Sequence, residues 1–217
     1  MPIDRRAILS IAFASVAAAA VGTFQYLRLA PTPRRVLTAA EKKACGLTVD
    51  AVEGPYFVSG MREIPDGNLN VTGLESEPVE VSGRVFDGLS NTPIANAEVE
   101  IWHADSHGKY HPNANGKAAS YQAAELALRG FVKTDANGAF LIRTIYPGEY
   151  TGRVRHYHFK VRAQGKPELT TQLILPAKKG DALNFDTDDI AEGLPDCQLL
   201  HVDETATPAK ATFDFRV

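Results

Sequence analysis

From Val79 onward the chain alternates apolar and polar residues with a period of two, in runs too short for helices and separated by turn residues. In the first run Val79, Val81 and Gly83 share one face, and Glu80, Ser82 and Arg84 share the other. Successive side chains of an extended strand point to opposite faces, so this is the pattern of an antiparallel strand with one face buried. Further runs occupy Ala97 to Trp102, Gly130 to Thr134, Ala139 to Ile145, Tyr157 to Ala163, Leu169 to Leu175 and Thr212 to Val217, with turn clusters such as Asp87-Gly88 and Asn137-Gly138 between them. So many short strands predict an all-β fold, an antiparallel β-sandwich. Ala118 to Leu128, rich in Ala, Glu and Leu, is expected to form one helical excursion. Neither an internal repeat nor a low-complexity tract interrupts the pattern.

The first thirty residues follow different rules. Arg5-Arg6 precedes a stretch from Ala7 to Leu27 with no charged residue, and the order Asp4-Arg5-Arg6-Ala7-Ile8-Leu9 resembles a twin-arginine export signal. Small residues Ala17 to Ala20 offer cleavage sites, whereas about 20 apolar residues are also long enough to stay as a membrane anchor. Both outcomes give an exported protein, periplasmic or extracellular, that touches a membrane only through this segment. Residues 31–44 read as a linker, Pro31-Thr32-Pro33-Arg34-Arg35, and a short helix from Thr38 to Ala44. The folded domain is expected over 45–217. Two cysteines, Cys45 and Cys197, admit a disulfide in an oxidising compartment or two separate buried thiols. A net charge of -3 with a pI near 6.1 excludes nucleic acid as the expected partner, because phosphate binding needs concentrated Lys and Arg.

The chemistry concentrates in Arg153-Val154-Arg155-His156-Tyr157-His158. Two histidines at i and i+2 of a strand aim both imidazoles at one face, where they can share a metal ion, while Tyr157 points the other way. Taken alone the pair is weak evidence, since histidines at this spacing are more often solvent-facing or core residues. The reading sharpens with Tyr150 six residues upstream and Tyr110 at the end of Ile101-Trp102-His103-Ala104-Asp105-Ser106-His107-Gly108-Lys109-Tyr110.

With these residues the sequence resembles the intradiol ring-cleaving dioxygenases, the family of the catechol 1,2-dioxygenases and protocatechuate 3,4-dioxygenases. The resemblance covers most of residues 45–175. It runs through Glu53-Gly54-Pro55-Tyr56, Ser82-Gly83-Arg84-Val85, Pro93 to Ala97, Val99 to Asp105, Arg129-Gly130, Thr134-Asp135, Thr144-Ile145, the His-x-His strand and Leu169 to Gln172. It implies a non-haem Fe(III) cofactor held by Tyr110, Tyr150, His156 and His158, with Tyr110 and His156 equatorial and Tyr150 and His158 axial. It implies a small aromatic diol and O2 as substrates: the catechol chelates iron as a dianion, Tyr150 leaves the metal and takes up a substrate proton, and the ring opens to a cis,cis-muconate-type diacid. Hard phenolate donors suit a hard trivalent cation, whose charge depresses a tyrosine pKa. Arg153 would stabilise negative charge developing on the ring, with Gln172 beside it as catalytic support. Gly54, Pro55 and Tyr56 would close over the diol and, with Arg153 and Gln172, bind it.

Trp102 and His103 are expected to support the fold, and His103, His107, His111 and His201 are read as non-ligands, His107 and His111 being the nearest rivals. Tyr157 departs from the family, which commonly has an aliphatic residue there. The long N-terminal helical region through which catechol 1,2-dioxygenases pair is not apparent, so their dimer mode is not expected, though a homo-oligomer by other contacts stays open. The acidic stretch Asp181 to Asp189 lacks the spacing of a calcium loop and reads as solvated. The rival function is a non-catalytic β-sandwich module that binds iron or aromatic diols; another is a related enzyme acting on a larger aromatic.

Overall fold

A computed structural model describes residues 46–217 of the chain. The twin-arginine-like segment, the linker, the Thr38 to Ala44 helix and Cys45, and with it the proposed disulfide, lie outside the described residues. Among the described residues no helix is long and apolar enough to cross a membrane.

Eleven strands occur among the described residues: β1 (Val58–Ser59), β2 (Pro78–Phe86), β3 (Glu98–Trp102), β4 (Gly116–Lys117), β5 (Arg129–Lys133), β6 (Ala139–Ile145), β7 (His156–Arg162), β8 (Leu169–Ile174), β9 (His201–Asp203), β10 (Ala209–Thr212) and β11 (Phe215–Arg216). They make two principal sheets. One is a four-stranded antiparallel sheet in the order β5-β3-β7-β8; the other is five-stranded, with β6 and the C-terminal strands on the two sides of β2. The inner faces meet in one core, where Val79, Val81, Phe140, Ile142 and Phe215 pack with Val99, Ile101, Tyr157, Phe159, Val161 and Leu173. The period-two pattern is thus a sandwich pattern, in which the long strands β2, β3, β6, β7 and β8 turn an apolar set inward.

The structure differs from expectation in two places. The run from Thr212 to Val217 is not one strand: Thr212 ends β10, which begins at Ala209, Phe215–Arg216 form β11, and both strands lie parallel to β2 rather than antiparallel. Parallel neighbours need a long crossover. Residues 175–200 make up part of that return, through three short turns including the helix α1 (Asp189–Glu192). Ala118 to Leu128 forms no single helix but two 3₁₀ turns, Ala118–Ser120 and Ala123–Glu125, with no buried residue in either. A helix this short needs an apolar face docked on the fold, and here only the end of the segment, Ala127 and Leu128, is buried, against Ile145.

Candidate active site

The outer face of the four-stranded sheet carries polar residues, yet it is buried. Register aligns Arg129, Trp102, His158 and Gln172 in one row across β5, β3, β7 and β8. His156 and Lys160 flank that row on β7, and their side chains are buried too. Tyr157 points into the core, where its hydroxyl donates to the Ile145 carbonyl at 3.0 Å. Loops before β1, after β3, after β6 and after β8 cover the outer face.

Two of those loops deliver tyrosines. The Tyr110 loop turns on Asp105, whose Oδ1 accepts from the backbone N–H groups of His107 and Lys109 at 2.9 and 3.0 Å. At Gly108, φ is +76°, and a Cβ there would lie 2.1 Å from the Glu149 carbonyl oxygen, so only glycine lets the Tyr110 and Tyr150 loops touch. The Gly148 N–H then donates to the Asp105 carbonyl at 2.7 Å, bracing one tyrosine loop on the other. The Tyr110 and Tyr150 rings meet edge to face with centroids 5.2 Å apart.

Four donors converge as a result. The Nε2 atoms of His156 and His158 are 3.1 Å apart, Tyr110 Oη is 3.5 Å from His156 Nε2, and the Tyr150 ring lies 5.5 Å from that of His156. Nδ1 of His156 lies 2.6 Å from the Val154 carbonyl, which can only accept. The proton therefore sits on Nδ1, and the Nε2 lone pair faces the site. His158 is held differently: its buried Nδ1 has no hydrogen-bond partner among the described residues, but its ring stacks on Trp102 at 4.9 Å and 10°. Gly54, with φ +76°, closes from above, where a Cβ would come within 3.2 Å of His158 Cε1.

Burial sets the ionisation. It pushes His156 down to about 3 and His158 well below its ordinary value, with Arg153 adding to both, so the two imidazoles are neutral and able to ligate. It pushes Tyr110 well above 10, helped by Tyr150, and raises Tyr150 against the opposing charge of Arg153. Both phenols thus stay protonated unless a cation enters. The set suits a hard trivalent metal, and donors about 2.1 Å from a common ion at right angles lie ~3.0 Å apart, close to the imidazole separation here.

Arg153 and Gln172 stand beside this cluster as one unit. Arg153 Nη2 donates to Gln172 Oε1 at 2.6 Å, and Gln172 Nε2 donates to the Val52 carbonyl at 2.7 Å, just before Gly54. Tyr56 stacks on Tyr110 at 4.4 Å, and Pro55 links it to Gly54 in the same turn.

Three further residues of the site have no role assigned from the sequence. Asp188, inside the stretch expected to be solvated, is 1% exposed and binds Arg153 Nε at 2.8 Å; Asp181 pairs with Arg155 at 2.6 Å, so only the neighbours Asp186 and Asp189 face solvent. Arg129 is buried without a carboxylate and donates to three carbonyls, of Tyr56, His111 and Pro112, joining the segments on either side of Tyr110. Lys160 bridges Glu53 and Glu168, each at 2.8 Å, and so anchors the residue preceding Gly54. Lys160 alone has a local signal, continuing the spacing of His156 and His158.

The other histidines lie elsewhere. His103 is fully buried on the core side between Ala104 O and Thr144 Oγ1, both at 2.7 Å, and burial lowers it to about 4. His111 pairs with Asp105 at 2.8 Å, His107 sits beside Ser106, and His201 is exposed on β9.

A dioxygenase family model matches residues 52–217, most of the chain and all of this site. The chain belongs to the intradiol ring-cleaving dioxygenase family. Among the relatives of this dioxygenase family member, a 6-chlorohydroxyquinol 1,2-dioxygenase of Cupriavidus pinatubonensis is 32% identical over 160 residues, covering 65% of this chain and 54% of its own length. A catechol 1,2-dioxygenase of Acinetobacter baylyi is 30% identical over 200 residues, covering 78% and 60%. The chain therefore spans little more than half the length of these curated relatives. Among solved structures, the dioxygenase domain of a dioxygenase carbohydrate-binding protein fusion from Streptomyces sp. SirexAA-E is 33% identical with a TM-score of 0.63, covering 79% of this chain and 97% of that one. Catechol 1,2-dioxygenase of Acinetobacter radioresistens is 26% identical with a TM-score of 0.62, covering 82% and 64%.

Proposed function

We propose that residues 45–217 are the catalytic domain of a ferric, non-haem intradiol dioxygenase that opens a catechol-type diol with O2 between its hydroxylated carbons, giving a cis,cis-muconate-type diacid. The observation that carries this reading is the convergence of two phenols and two neutral imidazoles on one buried point, with the Arg153–Gln172 pair beside it.

Tyr110, Tyr150, His156 and His158 would hold the iron. Ferric iron, when bound, supplies the Lewis acidity that ionises the diol hydroxyls and withdraws electron density from the ring. Tyr150, the more exposed of the two phenols, is the one able to swing out and accept a diol proton on its Oη, while Tyr110 is locked beneath Tyr56. The Arg153 guanidinium carries a fixed positive charge to the rim of the cluster, where negative charge develops on the ring as oxygen is attacked. Gly54, Pro55 and Tyr56 would form the roof over the diol, with glycine letting the backbone of that roof pack directly on His158.

Visible spectroscopy of iron-loaded protein, anaerobic addition of catechol, and oxygen uptake on admitting air test the whole reading. The expected result is a tyrosinate-to-iron band that shifts with catechol and precedes oxygen consumption with one diacid formed per O2. A colourless iron-loaded protein overturns the ligand set. A catechol shift without oxygen uptake leaves a binding module.

We further propose export through the twin-arginine-like segment of residues 1–30. Replacing Arg5 and Arg6 with Lys should leave the protein in the cytoplasmic fraction, and unchanged export would refute this route.

A further inference from the structure

Asp188 lies 35 residues from Arg153 in sequence and meets it side chain to side chain. Arg153 Nε donates to both carboxylate oxygens, at 2.9 and 2.8 Å. The same carboxylate accepts the backbone N–H of Val154 at 2.9 Å and those of Ile190 and Ala191 at 3.0 and 3.1 Å, the latter two at the start of α1. Its lone pairs are thus committed on every side, and its side chain is fully buried. Burial alone would raise this carboxyl, but the Arg153 charge and the N–H bonds from Ala191 and Val154 outweigh it and hold the group below the ordinary carboxylate value.

We propose that Asp188 is the positioning residue for Arg153, an inference that rests on the ring-cleavage reading. Arg153 has a planar guanidinium. With Nε pinned by Asp188 and Nη2 pinned by Gln172, both its plane and its rotation are determined, and Nη1 is the nitrogen left over to face the bound diol. Neither partner suffices alone, because one hydrogen bond leaves the fork free to turn about that bond. The Val154 N–H bond adds a second constraint, since it holds the backbone next to Arg153 to the same carboxylate. The return segment through α1 therefore acts on the reaction without touching substrate: it carries the anchor for the charge that the ring meets.

Asp188→Asn tests this. An amide oxygen still caps α1, but its NH₂ faces the donors of Arg153 and Val154, and the arginine loses its paired charge. The expected result, per iron-loaded site counted from the visible band, is a kcat lowered about 10- to 100-fold with the anaerobic catechol affinity changed by less than about threefold. A purely structural role would lower yield and melting temperature but leave kcat per site intact. In the Arg153→Ala background, Asp188→Asn should change kcat by less than about twofold, because Asp188 acts through the side chain already removed. Asp188→Glu, which keeps the charge but displaces it by a methylene, should recover part of the loss.

A second readout needs no turnover. In ¹⁵N-labelled, gallium(III)-loaded protein the Arg153 Nε–H resonance, assigned by its loss in Arg153→Lys, should be protected from exchange and should lose that protection in Asp188→Asn. Wild-type kcat in Asp188→Asn, or a protected Nε–H in that variant, overturns the proposal. If the parent protein consumes no oxygen with any diol, it is the ring-cleavage reading that fails, and the Nε–H signal still decides whether Asp188 holds Arg153.

Discussion

The two faces of the four-stranded sheet are built from alternate residues of the same strands and are both buried, yet they are opposites in chemistry. The inner face presents Val99, Ile101, Tyr157, Phe159, Val161, Leu169 and Leu173 to the other sheet. The outer face presents Glu100, Trp102, His156, His158, Lys160 and Gln172 to loops. On the inner face the neighbours are interchangeable hydrocarbon, and burial itself stabilises. On the outer face burial costs free energy unless each polar group finds a specific partner, so the loops had to supply carbonyls, carboxylates and phenols at defined points. Stability is concentrated on one side of the sheet and the candidate site lies on the other.

That division can be broken or sharpened by substitution. The largest effect is expected at Tyr110→Phe, which removes one phenol from the donor cluster: the visible band should weaken and shift to that of Tyr150 alone, and oxygen uptake should fall by ~10³-fold or more, with the melting temperature unchanged or higher. A melting temperature that collapses would show the outer face to be part of the stabilising core. On the inner side, Phe159→Ala should cost about 3–5 kcal/mol in denaturant unfolding while leaving kcat per folded, iron-loaded site near the parent value. Equal losses in both quantities would erase the distinction between faces.

Arg129→Met should have an intermediate effect, about 1–3 kcal/mol, because three carbonyls lose their donor. It should also raise the Michaelis constant for the diol, since Tyr56 and the Tyr110 loop are no longer tied together.

The smallest effect is in pH. His103 has a folded pKa of about 4 against 6.5 unfolded, so below 6.5 only the unfolded chain gains the proton. Stability should therefore fall as pH drops from about 6.5 to about 4 and should lose nothing further through this group below that. His156, at about 3, extends the same trend in metal-free protein. His103→Gln should make the upper part of that slope shallower in urea titrations, leaving the share of His156 and His158.

Much of the site is legible in the sequence because its parts are local. The spacing of His156 and His158 places both on one side of a strand, and Tyr157 on the other, as found. Tyr110 and Tyr150 are recognisable from their motifs, though nothing in the spacing alone says that their loops touch; Gly108 and Gly148 decide that. Asp188 is hidden because an acidic run looks solvated from composition, and a buried carboxylate is only distinguishable by the arginine it meets. Arg129 stands out only as a residue matching the family, since a cation bound by carbonyls leaves no charged partner in the sequence to betray it. The Ala118 to Leu128 segment has helical composition, but its two 3₁₀ turns bury no residue and only Ala127 and Leu128 at its end pack on the fold, so nothing rewards a helix along its length.

What the sequence determined by itself was the alternation that makes strands, the side of each strand that enters the core, and the residue types able to bind a hard metal. These follow from a two-residue period and from side-chain chemistry, both of which are properties of neighbours along the chain. The tertiary structure alone decided the row of Arg129, Trp102, His158 and Gln172, the parallel seating of β10 and β11 beside β2, and the clamp of Asp188 on Arg153. Those depend on strand register and on contacts between residues far apart in the chain, which are set by how two sheets and their loops fill space together.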